Sequence, residues 1–591
     1  MTSLFSREEP GHTSPSRTLS ATLLISSRAA SERLLESVPR LTALVATALG
    51  LVSLVQVLWD HDGRIVVPFA LATPESAVAD AGVAVCGLLL LRIARGLRRR
   101  KRDAWLLAVA ACALLSTVNL LHGWWRRPVV IAVTLGLLVL LVAGRSHFTA
   151  QADGHSRWFA ARACVQVLGI AAGYGLVLLY LPGHVASGVG FSRRLGEVLS
   201  SLTGLGGWIP IQDRHYSDVF HATMFLFGLL ALSCAVVLAL HSSAPAAALN
   251  PEDEQRLRWL LRQHGERDSL GYFALRRDKS VVWSCSGKAA ITYRVVDGVA
   301  LASGDPIGDP EAWPGAVAAY RALVERFGWT PAVMGCSELG AKVFHRDYGL
   351  STLILGDEAV LEVDRFALEG RAMRGVRQAC TRVRRAGYQI AVRRVAELAA
   401  AELDEVRAAA ERWRGDAVER GYSMALSRVG DAADPDCAVV TARQDGTLRG
   451  VLHFVPWSTN GLSLDLMRRE RTADNGLNEL MIVELIAACP ALGVRYVSLN
   501  FAVFRDALER GARIGAGPVL RLWRRILLVA SRWWQIDSLY RFNAKFQPRW
   551  DPRFVCYPGA RDIPRIALAA LEAEAFVVRP KRLAQLIGRG R

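Results

Sequence analysis

The sequence has few cysteines for its length, ten among 591 residues, and none of them forms a CxxC pair. Its twelve histidines show no HExxH or similar spacing. We therefore predict no metal site and no cofactor. Cys86, Cys112, Cys164 and Cys234 lie in apolar segments, which is typical of reduced thiols that pack in a core.

Three phosphate-binding and nucleophile motifs are also missing. The sequence contains no GxxxxGK[ST] loop, no GxGxxG after a predicted strand, and no GxSxG nucleophile elbow. Nucleotide hydrolysis and serine hydrolysis are therefore not expected.

Long uncharged runs are confined to the first 240 residues. Residues 1–40 lack the short apolar core of a signal peptide, and we interpret them as a disordered cytoplasmic lead-in. Residues 41–241 are predicted to form a polytopic α-helical membrane domain, because they contain about six runs long enough to cross a bilayer. The candidate spans are Leu41–Trp59, Ala77–Ile93, Ala104–Leu121, Val129–Ala143, Phe159–Leu181 and Phe220–Leu240.

The basic loop Arg95–Arg102 sets the predicted topology, since short basic loops stay in the cytoplasm. With an even number of spans, everything after Leu240 then faces the cytoplasm. The external segment Pro182–Asp218 is interpreted as a plain loop, with an interfacial or re-entrant segment as the alternative. No span carries a charge at its centre, so no residue supports a transport role.

After a linker at 242–252, the pattern changes to a soluble α/β sequence. Strands and helices alternate in two units of similar order, 253–370 and 391–575, which suggests a duplicated fold. Asp297-Gly298 and Asp445-Gly446 are strong hairpin signals between predicted strands. A strand pair is predicted around Thr352–Asp364 and a helix at Pro518–Ser531. Residues 576–591 form a basic tail.

A basic helix is predicted to connect the two units at 371–390. Arg371, Arg374, Arg382 and Arg385 share one stripe of it, with Arg377 and Arg384 beside the stripe. The opposite side is predicted to carry Ala372, Met373, Val376, Ala379, Cys380 and Val383. The basic face, together with the net charge of +18, favours contact with phosphates of RNA or anionic lipid. A merely solvated helix face is the alternative.

The segment Gly461–Ile486 combines a strand, charged residues and a helix. Leu462, Leu464 and Leu466 alternate with polar positions, which predicts leucines in the core and Asp465 on the opposite face. Asp465 and Arg468 are candidate site residues. The alternative interpretation is a surface ion pair between them in a hairpin.

Five motifs together resemble one family. They are GDPIG from Gly304, DRFALEGRAMRGVRQ from Asp364, ERGYSM from Glu419, SLDLMRR from Ser463 and FNAKFQPRW from Phe542. In this order they resemble the C-terminal catalytic domain of the lysylphosphatidylglycerol synthases, the multiple peptide resistance proteins of bacteria, in a short form. The resemblance implies two tandem acetyltransferase-like (GNAT) folds behind a polytopic membrane domain.

The resemblance also implies a reaction, the transfer of an aminoacyl group from aminoacyl-tRNA to a hydroxyl of phosphatidylglycerol. Asp465 would hold the amino group, Arg468 the tRNA end, and Lys545 would lie near the transferred ester. Weaker substrate-binding candidates are Glu358, Glu419, Asn475, Glu479 and Arg505. The ester is already activated, so positioning, one proton acceptor and oxyanion stabilisation suffice without a covalent intermediate.

The chain departs from the long family members in having about six spans and no tRNA synthetase module. The amino acid therefore stays open, with lysine as the leading candidate and alanine or arginine as alternatives. Other hypotheses are aminoacylation of diacylglycerol, an acyl-CoA-dependent acyltransferase, and a non-catalytic membrane protein that binds RNA or anionic lipid. The pyrophosphate loop [RQ]xxGx[GA] of an acyl-CoA enzyme is missing; Arg510–Gly517 comes near but has the wrong spacing.

The expected location is the bacterial inner membrane, as a multi-pass protein whose catalytic domain is cytoplasmic. The expected partners are aminoacyl-tRNA, phosphatidylglycerol and the lipid bilayer, and a homo-oligomer is left open. Lysylation would give resistance to cationic antimicrobial peptides, because it reverses the charge of the lipid.

Overall fold

The structure is a computed structural model that describes residues 38–51, 87–121, 128–150, 154–182, 185, 188–203, 207–239, 247–503 and 536–577. The chain divides into two compact units. The first comprises Met1–Ser243 with Arg326–Gly328, and the second comprises Ala244–Glu325 with Trp329–Arg591.

The described residues of the first unit are mainly helical. Its helices are α1 (Val38–Leu51), α2 (87–98), α3 (Arg102–Leu121), α4 (Pro128–Ala143), α5 (Gly154–Tyr180), α6 (Phe191–Leu202) and α7 (Arg214–Ala239). Two segments are long and apolar enough to cross a bilayer: Ala161–Tyr180 in α5 and Arg214–Val237 in α7. The first two predicted spans lie partly outside the described residues, so the number of spans stays a prediction.

The segment between α5 and α7 contains a helix and is not the plain loop that we expected. α6 packs against both α5 and α7. Its Glu197 side chain is buried and accepts hydrogen bonds from the backbone N–H groups of Gly207, Trp208 and Ile209. The carboxylate thus folds the chain after α6 back onto the helix, a long-range contact that local sequence pattern does not reveal.

The second unit contains a sheet of twelve strands. Its strands are β1 (Ser280–Trp283), β2 (Ala289–Val296), β3 (Val299–Ser303), β4 (Ile307–Gly308), β5 (Thr330–Cys336), β6 (Ser351–Glu362), β7 (Gln389–Arg394), β8 (Ala438–Gln444), β9 (Thr447–Trp457), β10 (Gly461–Arg469), β11 (Tyr496–Val503) and β12 (Arg549–Tyr557). Its helices are α8 (Pro251–His264), α9 (Trp313–Phe327), α10 (Glu338–Tyr348), α11 (Arg374–Arg385), α12 (Ala400–Arg414), α13 (Leu477–Ala488), α14 (Ile536–Ala544) and α15 (Ile563–Ala573).

We call the two predicted parts of this unit, 253–370 and 391–575, its first and second half, and the sheet shows that they exchange strands. The order across the sheet is β1-β2-β3-β5-β12-β6-β11-β10-β9-β8-β7, with β4 beside β2. β6, the last strand of the first half, pairs with β11 of the second half. β12, the last strand of the second half, pairs with β5 of the first half and with β6. Each half is therefore completed by a strand of the other.

Both predicted hairpin turns are present. Asp297 and Gly298 join β2 to β3, and Asp445 and Gly446 join β8 to β9. All four residues have positive φ, as a two-residue type I′ turn requires. The prediction of a strand pair around Thr352–Asp364 was wrong, because Ser351–Glu362 forms a single long strand that pairs on both sides. The predicted helix Pro518–Ser531 lies outside the described residues.

Two hydrophobic cores cover opposite faces of the second half of the sheet. On β8, Val440 belongs to the core with α11 and α13, whereas Val439 belongs to the core with α8 and α12. Successive side chains of a strand point to opposite faces, so the two cores define two sides of the sheet. We call them the α11 side and the α12 side.

A buried charge network joins the exchanged strands. The Arg553 guanidinium on β12 donates to Asp268 at 2.7 Å, to Ser269 at 2.6 Å and to Glu358 on β6 at 2.8 Å from Nε. The other Glu358 oxygen accepts from the hydroxyls of Ser269 and Ser498. All these groups are buried, and they form hydrogen bonds with one another, as buried polar groups in proteins generally do.

Candidate active site

Asp465 lies in a β-bulge. β10 pairs with β9 residue by residue until Leu464 opposite Phe454, but the next pair is Leu466 opposite His453, so Asp465 is the extra residue. β10 pairs with β11 in parallel only from Gly461 to Ser463. Asn500 of β11, which has φ +68°, donates its side-chain amide to the Leu464 carbonyl at 2.5 Å. The bulge thus has a specific support from the neighbouring strand.

The bulge corrects the predicted alternation beyond Leu464. Leu462 and Leu464 belong to the core of the α11 side, as expected. Leu466 does not follow them; it lines a cavity together with Asp465, and Met467 packs against the core instead. The extra residue shifts the alternation by one, which turns every later side chain of the strand to the other face.

Asp465 is held by two hydrogen bonds and is not a surface residue. Its side chain is 3% exposed. Oδ1 accepts from the Leu426 backbone N–H at 2.6 Å, and Oδ2 contacts Nδ1 of His453 at 2.7 Å. The alternative of a surface ion pair between Asp465 and Arg468 was wrong, since each of them has a different partner.

Arg468 is fixed by Glu419. Its Nη2 donates to both carboxylate oxygens of Glu419 at 2.6 Å, and its Nη1 donates to the Ala410 carbonyl of α12 at 3.0 Å. Arg414 at the end of α12 also donates to Glu419, at 3.0 Å. Burial tends to raise the pKa of Glu419, but the hydrogen bonds from Arg468 and Arg414 outweigh it and lower that pKa. Glu419 is therefore an anion that orients two guanidinium groups.

The loop that carries Glu419 depends on a glycine. Gly421 has φ +109°, and a Cβ at this position would lie 2.5 Å from the Cβ of Ala425. Only glycine fits such a position without strain. The turn brings Glu419 back toward the end of α12.

These side chains surround a cavity of about 430 Å³ on the α12 side. Its lining is Arg407, Ala410, Glu411, Arg414, Glu419, Ala425, Ser427, Arg428, Val429, Asp431, Ala432, Asp465, Leu466 and Arg468. A cavity with carboxylates and guanidinium groups side by side can hold a small group that has both a cationic amine and a polar carbonyl or phosphate. Of the predicted site residues, it brings together Asp465, Arg468 and Glu419.

Three other predicted residues lie on the α11 side. Lys545 donates to Glu479 of α13 at 2.8 Å and is about half exposed. The Asn475 carbonyl accepts from Arg382 of α11 at 2.8 Å, and its side-chain oxygen accepts from Arg469 at 3.3 Å. None of the three lines the cavity of Asp465.

Two further candidates lie elsewhere. Glu358 is 1% exposed and belongs to the buried Arg553 network, where its oxygens already accept from Arg553, Ser269 and Ser498. Arg505 lies outside the described residues.

α11 presents the predicted basic face. Met373, Val376, Ala379, Cys380 and Val383 are buried, whereas Ala372 is exposed, unlike the prediction. Arg377 donates to the carbonyls of Leu368 and Gly370, and Arg384 pairs with Glu484 of α13. A shallow cavity of about 450 Å³ is lined by Arg377, Gln378, Thr381, Arg382 and Arg385. The helix packs on α13 as part of the core, so it is more than a connection between two units.

Sequence analysis missed His453 and Arg414. His453 sits in an apolar strand without any motif, and only the strand pairing brings it to Asp465. Arg414 could have been suggested by its position at the end of a helix just before the Glu419 segment. Among the described residues, no group of three or more His, Cys, Asp and Glu side chains is placed to hold a metal ion.

Comparisons with known proteins match most of the second unit to one family. The family model described as phosphatidylglycerol lysyltransferase, C-terminal, matches residues 258–557. The lysylphosphatidylglycerol biosynthesis bifunctional protein LysX of Mycobacterium avium (strain 104) is 46% identical over 505 residues, which cover 83% of this chain and 42% of that protein. The LysX protein of Rhodococcus opacus (strain B4) is 46% identical over 502 residues, covering 84% and 44%.

The chain thus spans less than half the length of these curated relatives. Among solved structures, L-PGS from Bacillus licheniformis is 20% identical with a TM-score of 0.47, over 58% of this chain and 98% of that one. The region that matches the family model, residues 258–557, contains Asp465, Arg468 and Glu419 and covers just over half of the 591 residues. The chain belongs to the phosphatidylglycerol lysyltransferase C-terminal family.

Proposed function

We propose that the protein transfers an aminoacyl group, with lysyl as the leading candidate, from aminoacyl-tRNA to a hydroxyl of phosphatidylglycerol. The observation that carries the proposal is the cavity in which Asp465, Arg468 and Glu419 meet. These residues come from two motifs about forty residues apart in sequence, and the fold of a family of lipid-modifying enzymes brings them to one cavity.

The contacts of the cavity suit an aminoacyl ester. Asp465 is a carboxylate whose remaining lone pairs can accept from the α-ammonium group of the amino acid. Arg468 uses three of its five N–H donors on Glu419 and Ala410, which leaves donors for an ester carbonyl or a phosphate. A fixed guanidinium of this kind stabilises negative charge that develops on the ester during attack by the lipid hydroxyl.

The α11 side is proposed to bind the tRNA. Arg371, Arg374 and Arg385 are exposed, and their side chains make no hydrogen bond or ion pair with another described residue. Lys545 adds another exposed cation on the same side, next to α13. The three arginines, unlike Lys545, have no carboxylate partner among the described residues, and such cations attract a phosphate backbone by counterion release.

An acyl-CoA donor is less well supported. A helix N-terminus is the usual place for a pyrophosphate, and the chain enters α13 through Asp474, Asn475 and Gly476. The Asp474 carboxylate would repel a pyrophosphate there. Arg382 and Arg469 already donate to the carbonyls of Asn475 and of Ala473, just before this turn.

The membrane arrangement is also part of the proposal. We infer about six spans within 41–241, with the catalytic part on the cytoplasmic side of the inner membrane. The two span-length helices α5 and α7 support association with a membrane. We further infer two acetyltransferase-like halves, near 253–370 and 391–575. In each half an antiparallel meander leads through a helix to a parallel strand, β3-α9-β5 and β10-α13-β11.

The test uses membranes that contain the full chain. They are incubated with a total pool of tRNA charged with labelled amino acids, and the lipids are extracted with and without prior ribonuclease treatment. A labelled lipid that disappears with ribonuclease supports the proposal and names the amino acid. No labelled lipid from folded protein in the presence of phosphatidylglycerol contradicts it. Lysylation would turn an anionic lipid into a cationic one, which reduces the attraction of cationic peptides.

A further inference from the structure

His453 faces Asp465 from the neighbouring strand. It lies on β9, and the bulge of β10 places Asp465 beside it, with Nδ1 and Oδ2 2.7 Å apart. The two side chains are 1% and 3% exposed. A hydrogen bond between buried groups is stronger than one exposed to water and keeps its geometry.

The partners fix the roles of the two imidazole nitrogens. An ionised carboxylate is only an acceptor, so Nδ1 must carry the proton and donate it to Oδ2. Nε2 is buried and has no hydrogen-bond partner among the described residues. His453 is not among the residues that line the cavity of Asp465. Its contact with that cavity therefore runs through Asp465.

We propose that His453 is a positioning residue for aminoacyl transfer: it holds the Asp465 carboxylate in the one orientation that receives the α-ammonium group of the donor. This inference rests on the proposed function. The Leu426 N–H restrains Oδ1 and the His453 N–H restrains Oδ2, so the carboxylate cannot rotate about its Cβ–Cγ bond. Its remaining lone pairs are then presented to the cavity in a fixed direction.

A carboxylate in a bulge needs this second restraint. The extra residue interrupts the regular hydrogen-bond ladder, which leaves the local backbone and side chain less constrained than in a paired strand. Loss of one of two hydrogen bonds would allow Asp465 to turn and to lose the ammonium group. A small misplacement of a substrate-holding group lowers the rate strongly.

The test compares three substitutions in the full chain in membranes. His453→Asn keeps an N–H donor near the position of Nδ1, His453→Gln moves the donor to the position of Nε2, and His453→Leu removes it. We expect His453→Asn to retain kcat/KM for charged tRNA within about threefold. We expect His453→Gln and His453→Leu to lower it by about 10- to 100-fold, as for loss of a hydrogen bond to a charged group.

The kinetic split separates positioning from a folding defect. We expect KM for charged tRNA to rise in His453→Leu while KM for phosphatidylglycerol stays unchanged. A folding defect would lower only the active fraction, leaving both KM values as they were, and would overturn the proposal. His345 is the matched control, because it is exposed and its Nδ1 contacts only the Leu350 carbonyl, at 2.7 Å; His345→Leu should leave both KM values unchanged.

The other outcomes are also decisive. If His453→Asn is as inactive as His453→Leu, the imidazole itself is needed and the positioning role is overturned. If all three variants match the unsubstituted protein, Asp465 does not need His453, and the proposed function stands without this inference. If the unsubstituted protein yields no aminoacylated lipid, the proposed function fails and the inference fails with it.

Discussion

Asp465 and Arg468 lie on the same face of β10 although they are three residues apart. In a regular strand an odd separation places two side chains on opposite faces. The bulge at Asp465 adds one residue, and both side chains then line one cavity with Leu466 between them. The two residues do not pair with each other; His453 holds the first and Glu419 the second.

Arg468 and Glu419 are expected to act as one unit. Arg468→Ala should lower lipid aminoacylation by about 100-fold or more, because the cavity loses its fixed donor. Glu419→Gln should lower it by about tenfold, since a neutral amide holds the guanidinium less firmly. In a double-mutant cycle, the double substitution should lower lipid aminoacylation by less than the product of the two single effects.

Arg412 is the control for this pair. It lies on α12 beside the cavity lining but is exposed and does not line the cavity. Arg412→Ala should keep full activity. Strict multiplication of the Arg468 and Glu419 effects would show that the two residues act independently, against this expectation.

Binding of tRNA to the α11 side should depend on salt. Arg374→Ala and Arg385→Ala should each weaken binding of charged tRNA and reduce the slope of log K against log salt by about one. Activity at saturating tRNA should change little. Filter binding at several salt concentrations measures the slope, with Arg412→Ala on the other side of the sheet as the control. An unchanged slope in both variants would assign α11 to another ligand.

The buried network around Arg553 should control stability. Arg553→Met leaves Glu358 and Asp268 without their cation, and breaking a buried pair costs about 3–5 kcal/mol. Arg549 on the same strand pairs with Asp551 and Glu362 near the surface, so Arg549→Ala should cost about 1 kcal/mol or less. Thermal unfolding in detergent compares the two. Equal losses would show that burial of the network is not what stabilises the exchanged strands.

Asp305 should make stability depend on pH. Burial, and then the Asp268 carboxylate, raise the pKa of Asp305 to about 7, whereas an aspartate in an unfolded chain titrates near about 3.9. Between these two values the folded state binds more protons than the unfolded state, so the free energy of unfolding falls as pH rises. Above about pH 7 the stabilisation that comes from the protonated Asp305 carboxyl is lost.

Asp305→Asn should remove that dependence. The amide can still accept from the Ser337 N–H, which lies 2.8 Å from the carboxylate, and it does not titrate. Unfolding temperatures measured at about pH 5 and at about pH 7.5 should then differ less in the variant than in the unsubstituted protein. The same decline in both proteins would exclude Asp305 as its source.

The strand exchange predicts that the halves cannot fold alone. A chain that ends before Ile536 lacks β12, and then β5 and β6 both lose a paired neighbour. We expect such a truncation to yield no protease-resistant product from the whole second unit. A chain that ends after Val577 retains all described strands and is the control. A stable first half in the shorter chain would contradict the expectation.

The hairpins show what local sequence can predict. Asp297-Gly298 and Asp445-Gly446 gave the correct strand pairs, because a two-residue turn with positive φ depends on the residues of the turn alone. The amphipathic α11 was also predicted closely, since a helical period depends on neighbours three and four residues away. Exposed Ala372 shows where the helical pattern was extended too far, as α11 begins only at Arg374.

The motifs indicated the family, but they did not predict where each of their residues lies in the fold. GDPIG and the segment from Phe542 helped to indicate the family, yet Asp305 of the first motif is buried, donates its backbone N–H to Asp268 of the Arg553 network, and does not line the cavity. Lys545 was expected near the ester, and the structure places it beside Glu479 on the α11 side. A motif records that residues are needed, but burial and contacts decide whether they serve stability or binding.

The sequence by itself determined the apolar first part, the α/β second part, most helices and strands, and three residues of the cavity. Those features follow from composition, periodicity and motifs, which are local properties of the chain. Only the tertiary structure decided the exchange of β6 and β12, the partnership of His453 with Asp465, and the face on which Arg468 lies. Each of these depends on pairing between distant strands, where a single bulged residue reverses the direction of every side chain that follows.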